Sequence, residues 1–249
     1  MSHPEIIFFF FLIAIIYASV GFGGGSSYIA ILALYALPYH EVRIIALICN
    51  IIVVAGGTGL FIRYKEVNWK KIIPIICAGA VMAFIGAQMR LSEKIYYVIL
   101  GISLIAAGIL LFFERKRVID LAERKTSLLR DSLLGSAIGF LSGLVGIGGG
   151  IFLSPILNLM HWDTSKKIAA TASVFILVNS IFGIAGSLSN VAASIDFKIV
   201  LILGLAVFAG GQIGTRIGLF KFNQLMVRKV TGLLVLVAGI EILIKHLNR

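Results

Sequence analysis

The sequence predicts an all-α polytopic membrane protein built from two pseudo-symmetric, inverted repeats. Of its 249 residues, 59% are apolar and only 13% are charged, whereas an ordinary soluble domain has about 25% charged residues. Apolar runs long enough to cross a bilayer recur along the whole chain, and the landmarks of the first half return in the same order in the second. This composition excludes a soluble enzyme, a secreted disulfide scaffold and a disordered chain.

The first repeat, residues 1–113, begins with an apolar stretch that glycines interrupt. The stretch covers residues 6–37, and the segment GFGGGSS at residues 21–27 breaks it. Three unbroken apolar runs follow, at residues 44–62, 72–89 and 95–113. Each approaches the ~20 residues that a helix needs to cross ~30 Å of hydrocarbon. Helices are expected because backbone groups in lipid must pair within their own segment, and the runs lack the alternation of a barrel strand.

A charged connector over residues 114–131 precedes the second repeat, residues 132–249. The second repeat has the same plan: a broken stretch with GIGGG, then three unbroken runs, at residues 132–160, 168–188, 199–217 and 225–244. The glycine motifs of the two halves are 125 positions apart, and the pairs Ala107-Gly108 and Ala238-Gly239 are 131 apart. Because the offset between corresponding segments changes so little along the chain, the sequence predicts an internal duplication, which is a frequent feature of transporters.

The length of the broken stretch predicts how the two repeats are oriented. A straight helix over residues 6–37 would be about 48 Å long, well above the hydrocarbon thickness, and neither arm alone can span. A re-entrant hairpin, with its glycines near mid-membrane, resolves both facts. Three spanning helices then remain in each repeat, and this odd number inverts the second repeat. A kinked single span is the alternative.

The distribution of basic residues favours the hairpin arrangement. The formal net charge is +11, and the hairpin arrangement places 16 of the 22 Lys and Arg residues on one side of the membrane and 6 on the other. The positive-inside rule then puts both termini outside and the connector in the cytoplasm, for a multi-pass protein of the cell membrane. Basic residues at membrane edges also meet anionic lipid headgroups. Nucleic-acid binding is not expected, because the basic residues do not form a separate soluble module.

The two glycine triplets are the strongest candidates for a binding site: Gly23, Gly24, Gly25, Gly148, Gly149 and Gly150. Adjacent glycines cost helix stability, up to ~1 kcal/mol each relative to alanine. A helix begins at each triplet, so its free N–H groups and positive end would point inward and form an anion site. The alternative is that the glycines only permit close helix packing, although packing glycines normally recur every four residues.

Polar residues inside the apolar runs are the other candidate ligands, because such positions in a membrane are usually functional. They are Ser26, Ser27, Asn50, Ser154, Ser173 and Asn179. The alternative for each is an interhelical hydrogen bond. We expect no catalytic residue, no metal site and no cofactor. Carboxylates are nearly absent from the apolar runs, where Glu241 is the exception. This scarcity favours an anion over a cation or proton, and the predicted midplane lacks the arginine clamp that a dicarboxylate would need.

The glycine motifs resemble those of a known family. The segments GFGGGSSYIAIL and GLVGIGGGIFLSPIL, with the later KKIAATAS, are similar to the TauE/SafE family of sulfite exporters. The resemblance covers essentially the whole chain. The second motif, with Pro155 after its glycines, is the more typical copy, and the first copy has no such proline. The resemblance implies a secondary transporter for a small sulfur-containing anion, such as sulfite or a sulfonate.

The sequence therefore predicts a secondary transporter that moves a small anion by alternating access, with membrane lipids as its other partner. An anion channel is the alternative within transport, but channels tend to use rings of subunits, and a duplicated single chain suits a carrier better. A membrane-embedded enzyme acting on a lipid phosphate is the alternative from another class. Such an enzyme would need convergent acid, base or nucleophilic groups, and few carboxylates and histidines lie within the apolar runs.

Overall fold

The structure is a computed structural model that describes residues 4–35, 38–113, 127–188, 196–220 and 224–247. Within these ranges the chain forms ten α-helices and no strand. The helices of the first half are α1 (Glu5–Ala18), α2 (Gly25–Leu34), α3 (Tyr39–Arg63), α4 (Trp69–Gln88) and α5 (Glu93–Phe113). Those of the second half are α6 (Leu128–Val145), α7 (Gly150–Leu159), α8 (Ser165–Ser187), α9 (Phe197–Phe220) and α10 (Gln224–Leu247).

The prediction of an all-helical, multi-pass membrane protein is confirmed. Among the described residues, seven helices are long and apolar enough to cross a membrane. Six of them correspond to the unbroken apolar runs, and the seventh is α6. This helix begins at Leu128, inside the segment assigned to the connector, so the apolar stretch starts earlier than its hydropathy indicated. Residues 114–126 of the predicted connector lie outside the described residues.

The first broken stretch, α1 and α2, forms a hairpin. The hydroxyl of Tyr35, just after α2, donates a hydrogen bond to Glu5 Oε1 at the start of α1, at 3.3 Å. Halfway along, the rings of Phe10 and Tyr28 stack with their centroids 4.5 Å apart. A continuous helix would separate Glu5 from Tyr35 by about 45 Å. The two arms therefore run antiparallel, and the glycines form the turn between them.

The second broken stretch, α6 and α7, forms a hairpin of the same kind. Trp162 follows α7, and its indole N–H lies 3.5 Å from Asp131 Oδ2 in the first turn of α6. Asp131 is only 1% exposed and also pairs with Arg130 at 3.1 Å. A carboxylate and an aromatic donor thus close the base of each hairpin. The sequence analysis missed this buried carboxylate because it placed Asp131 in the connector.

The two hairpins enter the helix assembly from opposite ends. We call residues 19–24 the first tip and residues 146–149 the second tip. The first tip borders a small cavity beside Phe61, near the end of α3. The second tip packs against Arg43, near the start of α3. Each tip therefore reaches past the middle of α3 from its own side, which is the arrangement that an inverted repeat predicts.

Glycines at a spacing of four residues let two pairs of helices pack closely. On α6, a methyl group added to Gly135, Gly139 or Gly143 would overlap the backbone of α4. On α9, the same holds for Gly210, Gly214 and Gly218 against the backbone of α1. These are small-xxx-small contacts, in which the absence of side chains brings the helix axes together. The glycines that pack helices are thus distinct from the glycine triplets at the tips.

The contacts between helices have a two-fold pattern. Helix α1 packs against α9 and α6 against α4, while α5 packs against α10 and α3 against α8. If each helix is replaced by the one five places before or after it in the chain, the pair α1 and α9 becomes the pair α6 and α4. The other two pairs become themselves. A duplicated chain is expected to have such a pattern, in which α3 and α8 lie side by side between the hairpin tips.

Candidate functional site

The first tip delivers the chain to the N-terminus of α2 through two glycines with left-handed backbone. Gly21 has φ of 83° and Gly24 has φ of 90°, conformations that a β-carbon disfavours. The Gly24 carbonyl accepts hydrogen bonds from the N–H groups of Ser27 and Tyr28. The first N–H of the helix, that of Gly25, donates to Asn50 Oδ1 at 2.8 Å. The N-terminus of α2 is therefore capped by a side chain of another helix.

The second tip has the same backbone geometry, but the helix that follows it is not capped by a side chain. Gly146, Gly148 and Gly149 all have φ between 82° and 86°, and the Gly149 carbonyl closes the first turn of α7. The N–H groups of Gly150 and Ile151, at the start of this helix, have no acceptor among the described residues. The positive end of the α7 dipole is thus buried without a cap, which is a favourable position for an anion.

Asn50 joins the two tips. Its side chain is fully buried, and while Oδ1 accepts from Gly25, Nδ2 donates to the Ile147 carbonyl of the second tip at 3.0 Å. The glycine triplets are needed at this point because Gly23 and Gly148 also lie directly against the Asn50 amide, where a β-carbon would collide with it. One side chain of α3 therefore holds the N-termini of α2 and α7 together in the interior.

The hydroxyls of the predicted serines Ser26 and Ser27, at the start of α2, are hydrogen bonded within the first hairpin. Ser26 and Ser27 both hydrogen bond with the hydroxyl of Tyr17 on α1, at 3.3 Å and 2.6 Å. The Tyr28 hydroxyl, which the sequence analysis did not consider, is buried against Gly24 without a partner among the described residues. Most of the polar side chains at this end of the first hairpin therefore already have a hydrogen-bond partner.

The predicted ligand Ser173 is one of a group of hydroxyl side chains that lie between α3, α8 and α9. Its hydroxyl lies 2.9 Å from that of Thr58, and both Ser173 and Thr215 face Gly57. Ser173, Thr215 and residues of the first tip line a narrow interior space. An adjoining cavity, which has room for about one water molecule, extends past Thr215 to the exposed Lys166.

Four buried side chains on α6, α7 and α8 have polar atoms without a hydrogen-bond partner among the described residues. They are Ser142, Ser154, Asn179 and Ser180. The sequence analysis selected Ser154 and Asn179 but missed Ser142 and Ser180. Both could have been found as polar residues within apolar runs, at the end of α6 and beside Asn179 on α8. Buried polar groups in native proteins are nearly always paired, so this group indicates a place where a polar ligand binds.

A buried arginine beside the second tip was also missed. Arg43 is 4% exposed, and its guanidinium donates to the carbonyls of Ala87 and Leu144 and to the hydroxyl of Ser187. These groups lie in the last turns of α4, α6 and α8, where helix carbonyls lack partners and the dipoles are negative. Arg43 therefore ties three helix ends together behind the tip. Its sequence position, near the start of an apolar run, resembled an ordinary membrane-edge residue.

Comparisons with known proteins agree with this architecture. Residues 6–242 match the family described as Sulfite exporter TauE/SafE. The chain is 34% identical to a probable membrane transporter protein of Sinorhizobium fredii, covering 94% of this chain and 95% of that one. It is 26% identical to a probable membrane transporter protein of Methanocaldococcus jannaschii, covering 86% and 85%. No solved structure matches. The chain belongs to the TauE/SafE sulfite exporter family, and it is a membrane transporter and not an enzyme.

Proposed function

We propose that this transporter is a secondary carrier that moves a small sulfur oxyanion or organosulfur anion, such as sulfite or a simple sulfonate, by alternating access. The family and the relatives support membrane transport in general, and the tips support the finer statement. The observation that carries the proposal is the meeting of two helix N-termini at Asn50, with the first N–H groups of α7 left without acceptors.

The chemistry around the tips suits a delocalised anion. Each helix N-terminus contributes about half a positive charge, so two that converge offset about one negative charge. The Ser180 hydroxyl, which is buried beside Gly148, adds a donor without adding a fixed charge. A sulfite or sulfonate group spreads its charge over three oxygens, each of which can accept hydrogen bonds from such donors.

The positions of the hairpins suit alternating access. The hairpins enter from opposite ends, so each side of the membrane would reach the site past a different hairpin. On the side of the first tip, the small cavity beside Thr215 leads toward Lys166. Because this cavity holds only about one water molecule, passage of an anion requires movement of one half against the other. Carriers built from inverted repeats move in this way around a fixed central site.

A binding screen on the purified protein tests the substrate class. Sulfite, thiosulfate, sulfate, simple sulfonates and carboxylates are titrated separately against the detergent-solubilised chain. We expect sulfite or a sulfonate to bind, and dicarboxylates to bind at least about tenfold more weakly, because Arg43, the arginine packed against the second tip, already donates to two carbonyls and a hydroxyl. Preference for a dicarboxylate over every sulfur anion would contradict the proposal.

A further inference from the structure

We propose that the anion is bound at the second tip alone, and that Asn50 permanently occupies the corresponding place at the first tip. This inference rests on the proposed function, which it makes more specific. It assigns the anion to the N–H groups of Gly150 and Ile151, with Ser142 and Ser180 as the surrounding hydroxyl residues. The two halves would then have different tasks, although they share one fold.

The difference between the tips arises from one pair of equivalent positions. Gly25 and Gly150 begin α2 and α7, and the side chain that lies against them is Asn50 in one case and Ile176 in the other. These two side chains are 126 positions apart, one more than the offset between the glycines. Asparagine accepts the hydrogen bond of the helix N-terminus, whereas isoleucine has no polar atom to offer. The N-terminus of α7 is left uncapped for this reason.

Two of the unpartnered side chains, Ser142 and Ser180, lie beside the second tip. The Ser180 hydroxyl lies 3.2 Å from the place that a β-carbon on Gly148 would occupy, and the β-carbon of Ser142 lies 3.1 Å from the same place on Gly149. Asn179 lies on the same helix as Ser180, α8, and both of its amide atoms lack partners among the described residues, but its Oδ1 faces Gly79 of α4 and not the second tip. All three side chains are at most 1% exposed. Leaving this many buried polar atoms unpaired is costly unless a ligand pairs with them.

The first tip offers far less to a ligand. Asn50 takes the Gly25 N–H, and Tyr17 takes the hydroxyls of Ser26 and Ser27. The Ser26 N–H has no acceptor among the described residues, and the side-chain exception is the Tyr28 hydroxyl, which also lacks a partner there. It lies against Gly24 inside its own hairpin, where its ring is stacked on Phe10. Tyr28 therefore provides the matched control for the serines of the second tip.

The geometry points to a single sulfonate-type headgroup as the ligand. Two adjacent N–H groups at a helix start can each bind one oxygen, and the Ser180 hydroxyl beside Gly148 is a donor for a third. A carboxylate has only two oxygens and would leave part of this set unpaired. Because the site is next to Ile176 and Phe175, a short apolar substituent on the sulfonate is compatible with its surroundings.

The test compares variants of the two tips by their affinity for sulfite, a C2 sulfonate and succinate, using whichever of the three the wild type binds. Ser180→Ala removes one donor at the second tip, and Tyr28→Phe removes one hydroxyl at the first. We expect Ser180→Ala to weaken binding about tenfold, the effect of one hydrogen bond to a charged ligand, and Tyr28→Phe to change it less than about twofold.

A further variant tests the cap itself. Ile176→Asn gives α7 the side chain that caps α2, and we expect it to weaken binding at least about tenfold. Thermal melting in detergent verifies that each variant is folded. If Ile176→Asn does not fold, Ser180→Ala and Tyr28→Phe, which each remove a single oxygen atom, decide the question.

The outcomes separate the two proposals. Wild-type protein that binds succinate and neither sulfur anion would overturn the proposed substrate. The ratio of the affinities of Ser180→Ala and Tyr28→Phe for succinate would still locate the site. Equal effects at the two tips, or a larger effect of Tyr28→Phe than of Ser180→Ala, would overturn the one-sided site. Absence of binding for all three anions would overturn both proposals.

Discussion

Replacing Asn50 with leucine is the sharpest test of how the two tips are joined. Leucine has the same number and branching of side-chain heavy atoms but leaves the Gly25 N–H and the Ile147 carbonyl without the partners that Asn50 gives them, at 2.8 Å and 3.0 Å. An unsatisfied buried group costs about 1–3 kcal/mol, so the loss of partners for these two backbone groups should lower the free energy of unfolding by about 2–6 kcal/mol. At about 2–4 °C per kcal/mol, the melting temperature should fall by at least about 4 °C.

The assay is thermal melting of the purified protein in one detergent, with Asn158→Leu as the matched control. Asn158 is also buried, but its amide donates only to the Ser154 carbonyl of its own helix, at 2.9 Å. Its replacement leaves no group of another segment unpaired, so a loss of about 1 kcal/mol or less is expected. An Asn50→Leu protein as stable as the Asn158→Leu protein would refute the claim that this side chain holds the tips together.

Three further predictions follow from the packing, the tips and the charge distribution. Gly139→Ala should destabilise the protein by more than about 1 kcal/mol because its methyl group would overlap the α4 backbone, whereas Gly59→Ala, facing open space, should be neutral or stabilising in a melting assay. Gly149→Val should abolish sulfite binding and also lower the melting temperature, since φ there is 82°. Reporter fusions at Arg249 should report outside and fusions in residues 114–131 should report the cytoplasm; an inside-reporting C-terminus would refute the inverted arrangement.

Much of the fold could be predicted because the membrane restricts the possibilities. Hydropathy alone located the six unbroken spans, since every backbone group in lipid must be paired inside a helix. The length of residues 6–37 indicated a hairpin, and the contact between Glu5 and Tyr35 agrees with it. The start of α6 was predicted too late because Leu128 and Leu129 are separated from the apolar run by Arg130 and Asp131. A charge that is paired inside the structure looks the same in sequence as one at the membrane edge.

The position of the candidate site was predictable from the sequence, but the contacts of its residues were not. The glycine triplets and Asn50 were identified because runs of glycine and intramembrane amides are unusual, and the structure brings them together. The partners of Ser26 and Ser27 were not predictable, because Tyr17 lies on another arm of the hairpin. The same limit concealed Ser180, whose relation to the second tip depends on how α8 packs against it.

The central claim is that the chain carries a small sulfur anion held by helix N-termini, and uptake into proteoliposomes tests it most directly. Labelled sulfite, a C2 sulfonate and succinate are compared side by side at equal concentration, with empty liposomes as the background. The account predicts uptake of sulfite or the sulfonate above background and no uptake of succinate, because the tips provide N–H and hydroxyl donors for one anionic group. Uptake of succinate, with neither sulfur compound transported, would contradict it.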